Sequence, residues 1–191
     1  MADELCNALA IEVGSVDFNA GNIPSIATLV SSCQGLITVD KEASTVRLVH
    51  FTLKEYFSAH PDIFSRPHSA MTEICLTYLN SQRAKALPFY LPADENSFLK
   101  YCSLYWGVYA KLDLSDSARS LAVQLFEEYD SHICSYFLPA EICPLDLPSW
   151  TVSGGLSGVH CASFSGIVEI VVALMEIRGY DAKGGWYLFK M

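Results

Sequence analysis

The sequence predicts a mainly α fold with one small β-hairpin, and three observations carry that expectation. Apolar residues recur at helical spacing in stretches spread along the whole chain. Two short β-rich runs flanking a polar turn occur at residues 36–50. The composition is that of a globular chain, with 51% hydrophobic and 17% charged residues, and 191 residues suffice for one or two small domains with real cores.

Taken in order, residues 3–12 read as a helix with Leu5, Ala8, Leu9 and Glu12 on a mixed face, and residues 14–21 as a polar break. Asn22, Ile23, Pro24 and Ser25 open the next helix, with Pro24 near the first turn, where its missing N–H costs nothing. Ile26, Leu29, Val30 and Cys33 then fall on one stripe, and Gly35 is a natural C-terminal stop. Leu36, Ile37, Thr38 and Val39 make one strand, residues 40–44 the turn and residues 45–50 the other strand. Val46, Leu48 and His50 alternate on one face, which puts the titratable His50 ring at the last inward-facing position. The chain then enters a helix. Thr52 stands three residues before Glu55, the spacing of a capping box in which the Thr hydroxyl and the Glu carboxylate take two orphan N–H groups; Phe51 and Tyr56 hold the staple positions. Thr52 and Glu55 are therefore structural. Helix, helix, hairpin is the order of a winged-helix domain, assigned to residues 1–60, whose first helix is expected before residue 1.

Residues 69–79 form a helix with Met71, Ile74, Cys75, Tyr78 and Leu79 on one side, residues 86–96 a loop, and residues 98–111 an aromatic-rich helix carrying Phe98, Tyr101, Tyr105, Trp106 and Tyr109. That aromatic stripe is expected to be core, because the flanking helices need a partner face. Ser115 caps a further helix with Ala118, Leu121, Ala122, Leu125, Phe126 and Tyr129, completing a helical domain at residues 61–138. Residues 139–154, with Pro139, Pro144 and Pro148, read as a linker.

The run L-V-H-F-T-L-K-E-Y-F at residues 48–57 resembles the end of the winged-helix domain in NACHT-type signalling NTPases of the STAND class, most closely the large fungal NACHT–ankyrin proteins of the NOD-like receptor kind. The C-L-T-Y-L of residues 75–79 and the Tyr105–Trp106 pair resemble the helices that follow in that family. Residues 157–166 resemble the start of an ankyrin repeat, T-P-L-H-x-A-A-x-x-G: His160, Ala162 and Gly166 match, while Ser157 and Gly158 replace Thr and Pro. Ile170, Val171, Leu174 and Met175 would supply the second helix, and Gly179, Tyr180 and Asp181 the closing G-A-D. The order of the three parts carries the resemblance. It implies an ankyrin repeat at residues 155–181, with 182–191 a tail or truncated second repeat. Stacked repeats need at least ~3 units for stability, so the array is expected to continue. The family likeness implies that His50 reaches the β-phosphate of ADP and helps hold an adjoining NACHT domain closed. It also implies that His160 ties the tight turn of the repeat to the backbone, a structural role like that of Gly166.

This chain contains no G-x-x-x-x-G-K-[ST], so ADP or ATP is expected only with an upstream NACHT domain, and no cofactor in the chain itself. Within the chain alone His50 is expected to be a partly buried histidine with a backbone partner. No nucleic-acid binding is expected: the net charge is −9, the recognition-helix position at residues 24–34 holds no Lys or Arg, and the wing sets Lys41 and Arg47 against Asp40 and Glu42. His160 and Cys161 are sequence neighbours that point different ways, no G-x-S-x-G elbow occurs, and no Cys/His set has zinc spacing, so no catalytic or metal site is expected. Seven Cys without C-x-x-C, and no basic-then-apolar N-terminal run, favour reduced thiols in the cytoplasm. No membrane role is expected, since the longest apolar run, residues 167–177, is broken by Glu169 and Glu176 and falls short of the ~20 residues of a span. The expected function is non-catalytic: regulation through the NACHT domain and protein binding through the ankyrin surface, with self-association of the isolated chain. A stand-alone adaptor beginning at Met1, or a DNA-binding winged helix that the charge disfavours, are the alternatives.

Overall fold

In the computed structural model, which describes residues 2–15, 17–40, 42–87, 97–135, 137 and 158–177, the chain is mainly helical with a two-stranded antiparallel sheet. The elements are α1 (Ala2–Leu9), α2 (Ile26–Ser32), β1 (Ile37–Asp40), β2 (Thr45–Leu48), α3 (Phe51–Ala59), α4 (Pro67–Asn80), α5 (Gln82–Lys85), α6 (Ser97–Ala110), α7 (Asp116–Glu127), α8 (Gly158–Ser165) and α9 (Val168–Ile177), with 3-10 turns at Ala20–Asn22, Pro61–Ile63 and Tyr129–Ser131. The loop expected at 88–96, the linker at 139–154, and residues 178–191 with Gly179, Tyr180 and Asp181 lie outside the described residues.

Serines start three of these helices. Ser25 Oγ accepts the Thr28 N–H (3.1 Å), Ser81 Oγ that of Ala84 (3.2 Å) and Ser115 Oγ that of Ala118 (3.0 Å), each satisfying an orphan donor of a first turn. The stripe Ile26, Leu29, Val30 and Cys33 is the half-buried side of α2, and Gly35 follows at φ +82°, in the left-handed region that ends helices. Register pairs Ile37 with Leu48 and Val39 with Val46, so these four share the inner face of the hairpin. Asp40 Oδ1 closes the turn by accepting the N–H groups of Glu42 (3.1 Å) and Ala43 (3.0 Å).

The core lies elsewhere. Helices α4, α6 and α7 pack together and bury Leu76, Leu79, Leu99, Leu125 and Phe126, each side chain contributing about 1.5–3 kcal/mol by leaving water. Tyr78 meets Phe18 (5.6 Å) and Phe98 (4.7 Å), and Trp106 meets Phe126 (5.6 Å), so Phe98 and Trp106 of the α6 stripe are core, Tyr101 packs at its edge and Tyr105 is exposed. Helices α8 and α9 lay Cys161, Ala162, Ile170 and Leu174 onto the same cluster. Helix α1 docks on α6 and buries Ala2, Cys6 and Ala8, with Ala8 in the core cluster, while Leu5 and Leu9 stay exposed, so its buried face differs from the one read from the sequence. By contrast, no described residue between Phe18 and Ser69 is buried.

Candidate functional site

The strand–helix junction at His50 is built by three backbone decisions. The sheet ladder gains one more bond beyond the strands, from Val49 N–H to the Leu36 carbonyl (3.0 Å), and the chain then leaves the sheet. His50 is extended (φ −130°, ψ 137°), and its carbonyl accepts the Leu53 N–H (3.1 Å), closing the first helical turn. His50 is therefore the N-cap of α3, not a strand residue, and it is exposed, not partly buried. Its partner is a side chain: Nδ1 lies 3.1 Å from Thr52 Oγ1, and the ring stacks on Phe51 at 6.3 Å.

This start displaces the expected capping box by two residues. Thr52 stands inside the helix, where it is not the cap, and its hydroxyl is turned to His50. Glu55 is then the fifth helical residue and is exposed, out of position to reach back to the cap. The staple is absent too, because Phe51, 67% exposed, lies against His50, and Tyr56 stacks on His60 at 4.3 Å. The α3 start carries no side-chain cap and no acidic residue in its first turn, and Lys54 follows. Such an end presents N–H groups and the positive pole of the helix dipole. When the Thr52 hydroxyl donates to Nδ1, the His50 ring hydrogen sits on Nε2, a donor with no other partner among the described residues. Phe51 against the ring and Leu48 and Val49 just before it are exposed apolar side chains, as is Leu36 across the sheet from Val49.

His160 is an exposed residue of α8. Gly166 ends that helix at φ +66°, and its N–H donates to the Ala162 carbonyl (3.1 Å). His132, which sequence reasoning missed, is buried with both ring nitrogens engaged: Nε2–H donates to the Leu79 carbonyl (2.9 Å), and Nδ1 accepts the Cys134 N–H (3.2 Å). Burial pushes its pKa below the usual histidine value. Cys75, Cys102, Cys134 and Cys161 form no disulfide and are buried; burial raises Cys102 well above the ordinary thiol value and Cys134 to about 12, so both stay protonated small hydrophobes. Two ion pairs join distant elements, Arg66 with Asp113 and Lys85 with Glu128 (2.6 Å), and neither had a sequence signal because the partners are more than 40 positions apart.

A cleft of about 100 Å³ lies between α6, α7 and α8, lined by Trp106, Phe126, Tyr129 and Cys161 among others. Among the described residues no group of three or more His, Cys, Asp or Glu is arranged to hold a metal ion, and no helix is long and apolar enough to cross a membrane. Comparison of the chain with protein-family models, with curated proteins and with solved structures finds no match in any of the three.

Proposed function

We propose that this chain is a non-catalytic regulatory segment of a NACHT–ankyrin signalling NTPase. In this reading residues 1–60 are the winged-helix part that holds an ADP-bound NTPase domain closed, and the α8–α9 pair is an ankyrin repeat that offers a surface to another protein. The observation that carries the reading is the junction at His50: an exposed imidazole at a bare helix start, flanked by exposed apolar side chains, within residues 26–66, none of which belongs to the buried core. A helix N-terminus of this kind suits a phosphate, and the flanking apolar side chains suit a protein surface beside it. The nucleotide would arrive with the NTPase domain, in the cytoplasm, and the uncovered apolar side chains would drive self-association of the isolated chain. Arg47 is paired with Asp40 at 3.5 Å, so this cation of the hairpin is already partnered within the wing, which supports a reading without nucleic acid.

The test is the transcript on both sides of this segment, followed by one variant. An upstream frame encoding G-x-x-x-x-G-K-[ST] and a downstream frame with further repeats are expected. In the complete protein His50→Ala should then speed ADP release by about 10- to 100-fold, the loss of one charge-assisted hydrogen bond. A message without a nucleotide-binding frame, or an unchanged release rate, overturns the switch. A stand-alone protein-binding module is the second reading, favoured by the exposed apolar stripe Phe164, Val168 and Val172 along α8 and α9. A message that begins at Met1 and ends after Met191 would select it.

A further inference from the structure

The segment from α2 through α3 stands apart from the rest of the molecule in three ways. None of its residues belongs to the buried cluster, and none of the partly buried side chains packed on that cluster comes from residues 26–66. It touches the N-terminal helix through α2 and through one backbone bond, Ala2 N–H to the Ser44 carbonyl (2.8 Å). At its other end it is joined to α4 through Arg66, whose backbone is left-handed (φ +50°, ψ +58°). A non-glycine residue in that region costs about 1–2 kcal/mol and persists only where surrounding contacts impose it.

Those contacts are visible. Arg66 Nε donates to Asp113 Oδ2 (2.9 Å) and Nη2 donates to Asp113 Oδ1, a two-pronged pair that reaches 47 positions along the chain to the loop between α6 and α7. Arg66 holds the Asp113 carboxyl below the usual carboxylate value. Arg66 is the N-cap residue of α4, and its side chain makes no capping bond to that helix but is committed to the fork.

We propose that residues 60–66 are a hinge and that the Arg66–Asp113 fork is the latch that holds the Arg66 backbone and so fixes the direction in which the α2–hairpin–α3 unit leaves the helical body. Opening the latch relaxes the Arg66 backbone and lets the unit swing, while the body keeps its core intact. The fork is half exposed, so salt weakens it and a competing anion can take Arg66. This inference stands whatever covers the face around His50.

Amide hydrogen exchange on the full chain tests it. Asp113→Asn should raise exchange across residues 26–66 by about tenfold or more while α4, α6 and α7 keep their protection, since local and global opening separate in such data. The charge-reversed pair Arg66→Asp with Asp113→Arg should restore protection toward the starting level. Unchanged exchange in residues 26–66 on Asp113→Asn overturns the latch. A rise shared equally with α4 and α6 overturns the hinge, because the pair would then be an ordinary strut of the whole fold.

Discussion

At the scale of single residues, His132 and Gly158 carry more of the structure than their sequence context suggests. His132→Ala would leave the Leu79 carbonyl and the Cys134 N–H buried without partners, at a cost of about 2–4 kcal/mol in a urea titration. The same contact sets a pH dependence. Burial, with the facing Lys85, lowers the folded pKa of His132, while the Leu79 carbonyl and Glu128 act the other way; the unfolded chain binds its proton near the ordinary value of about 6.5. The unfolded state therefore binds more protons in the window between the two, and its stabilisation is complete above about pH 6.5 and falls as the pH drops toward the lower folded pKa. The urea midpoint of the native chain should decline through that window, and His132→Gln should flatten the decline. Gly158 is packed so closely on α7 that a Cβ would stand 2.3 Å from the Phe126 carbonyl oxygen. Gly158→Ala should cost about 1–3 kcal/mol of overpacking in the same titration. The departure from the T-P-L-H pattern at this position is a sequence signal, and it marks a close approach of α8 to α7. His132 offered no such signal, because a lone histidine in sequence does not reveal that two backbone groups from separate elements converge on it.

At the scale of elements, periodicity made the amphipathic helices legible and end chemistry was read with mixed success. The stripes of α2 and α7 were readable because each has one neighbour-facing side at 3.6-residue spacing, whereas α4 buries Cys75 through Leu79 in succession, so its stripe showed only part of its buried surface. The Ser115 cap was readable for the same local reason. The start of α3 was not, since two residues competed for the cap: a Thr with a Glu three positions on, and a His two positions earlier whose extended backbone lets its carbonyl close the turn. The His won, and its ring then engaged the Thr hydroxyl. A pair of variants separates the two arrangements. Ser115→Ala should lose about 1 kcal/mol, the worth of a serine cap, whereas Thr52→Ala should lose less than about 0.5 kcal/mol, as an exposed helical residue does. Equal losses measured by thermal unfolding would restore the Thr52 cap. The buried side of α1 escaped sequence reading because Ala and Cys, not its Leu residues, fit the close approach to α6.

At the scale of the whole molecule, what matters is which elements share a core, and long-range pairing of this sort leaves little trace in a sequence. The reading by segments treated residues 61–138 and 155–181 as separate domains. The buried cluster runs through both: Ala162, Ile170 and Leu174 of the α8–α9 pair lie in one contiguous set with Leu76, Leu99 and Phe126. Nothing in a proline-rich stretch between two helical regions reveals whether the flanking parts touch. A helix pair that cannot bury its own apolar face alone must use α7 as its neighbour, and its stability is then tied to that of the body. Leu174 is fully buried in that contact, so Leu174→Ala should cost about 2–5 kcal/mol. If the core is shared, this loss appears in one cooperative transition: tryptophan fluorescence in a Trp150→Phe, Trp186→Phe background, which leaves Trp106 against Phe126 as the reporter, shifts its midpoint together with far-ultraviolet circular dichroism. If α8 and α9 unfold as a unit of their own, the variant instead splits the curve, the circular dichroism moving first and the Trp106 signal staying where it was.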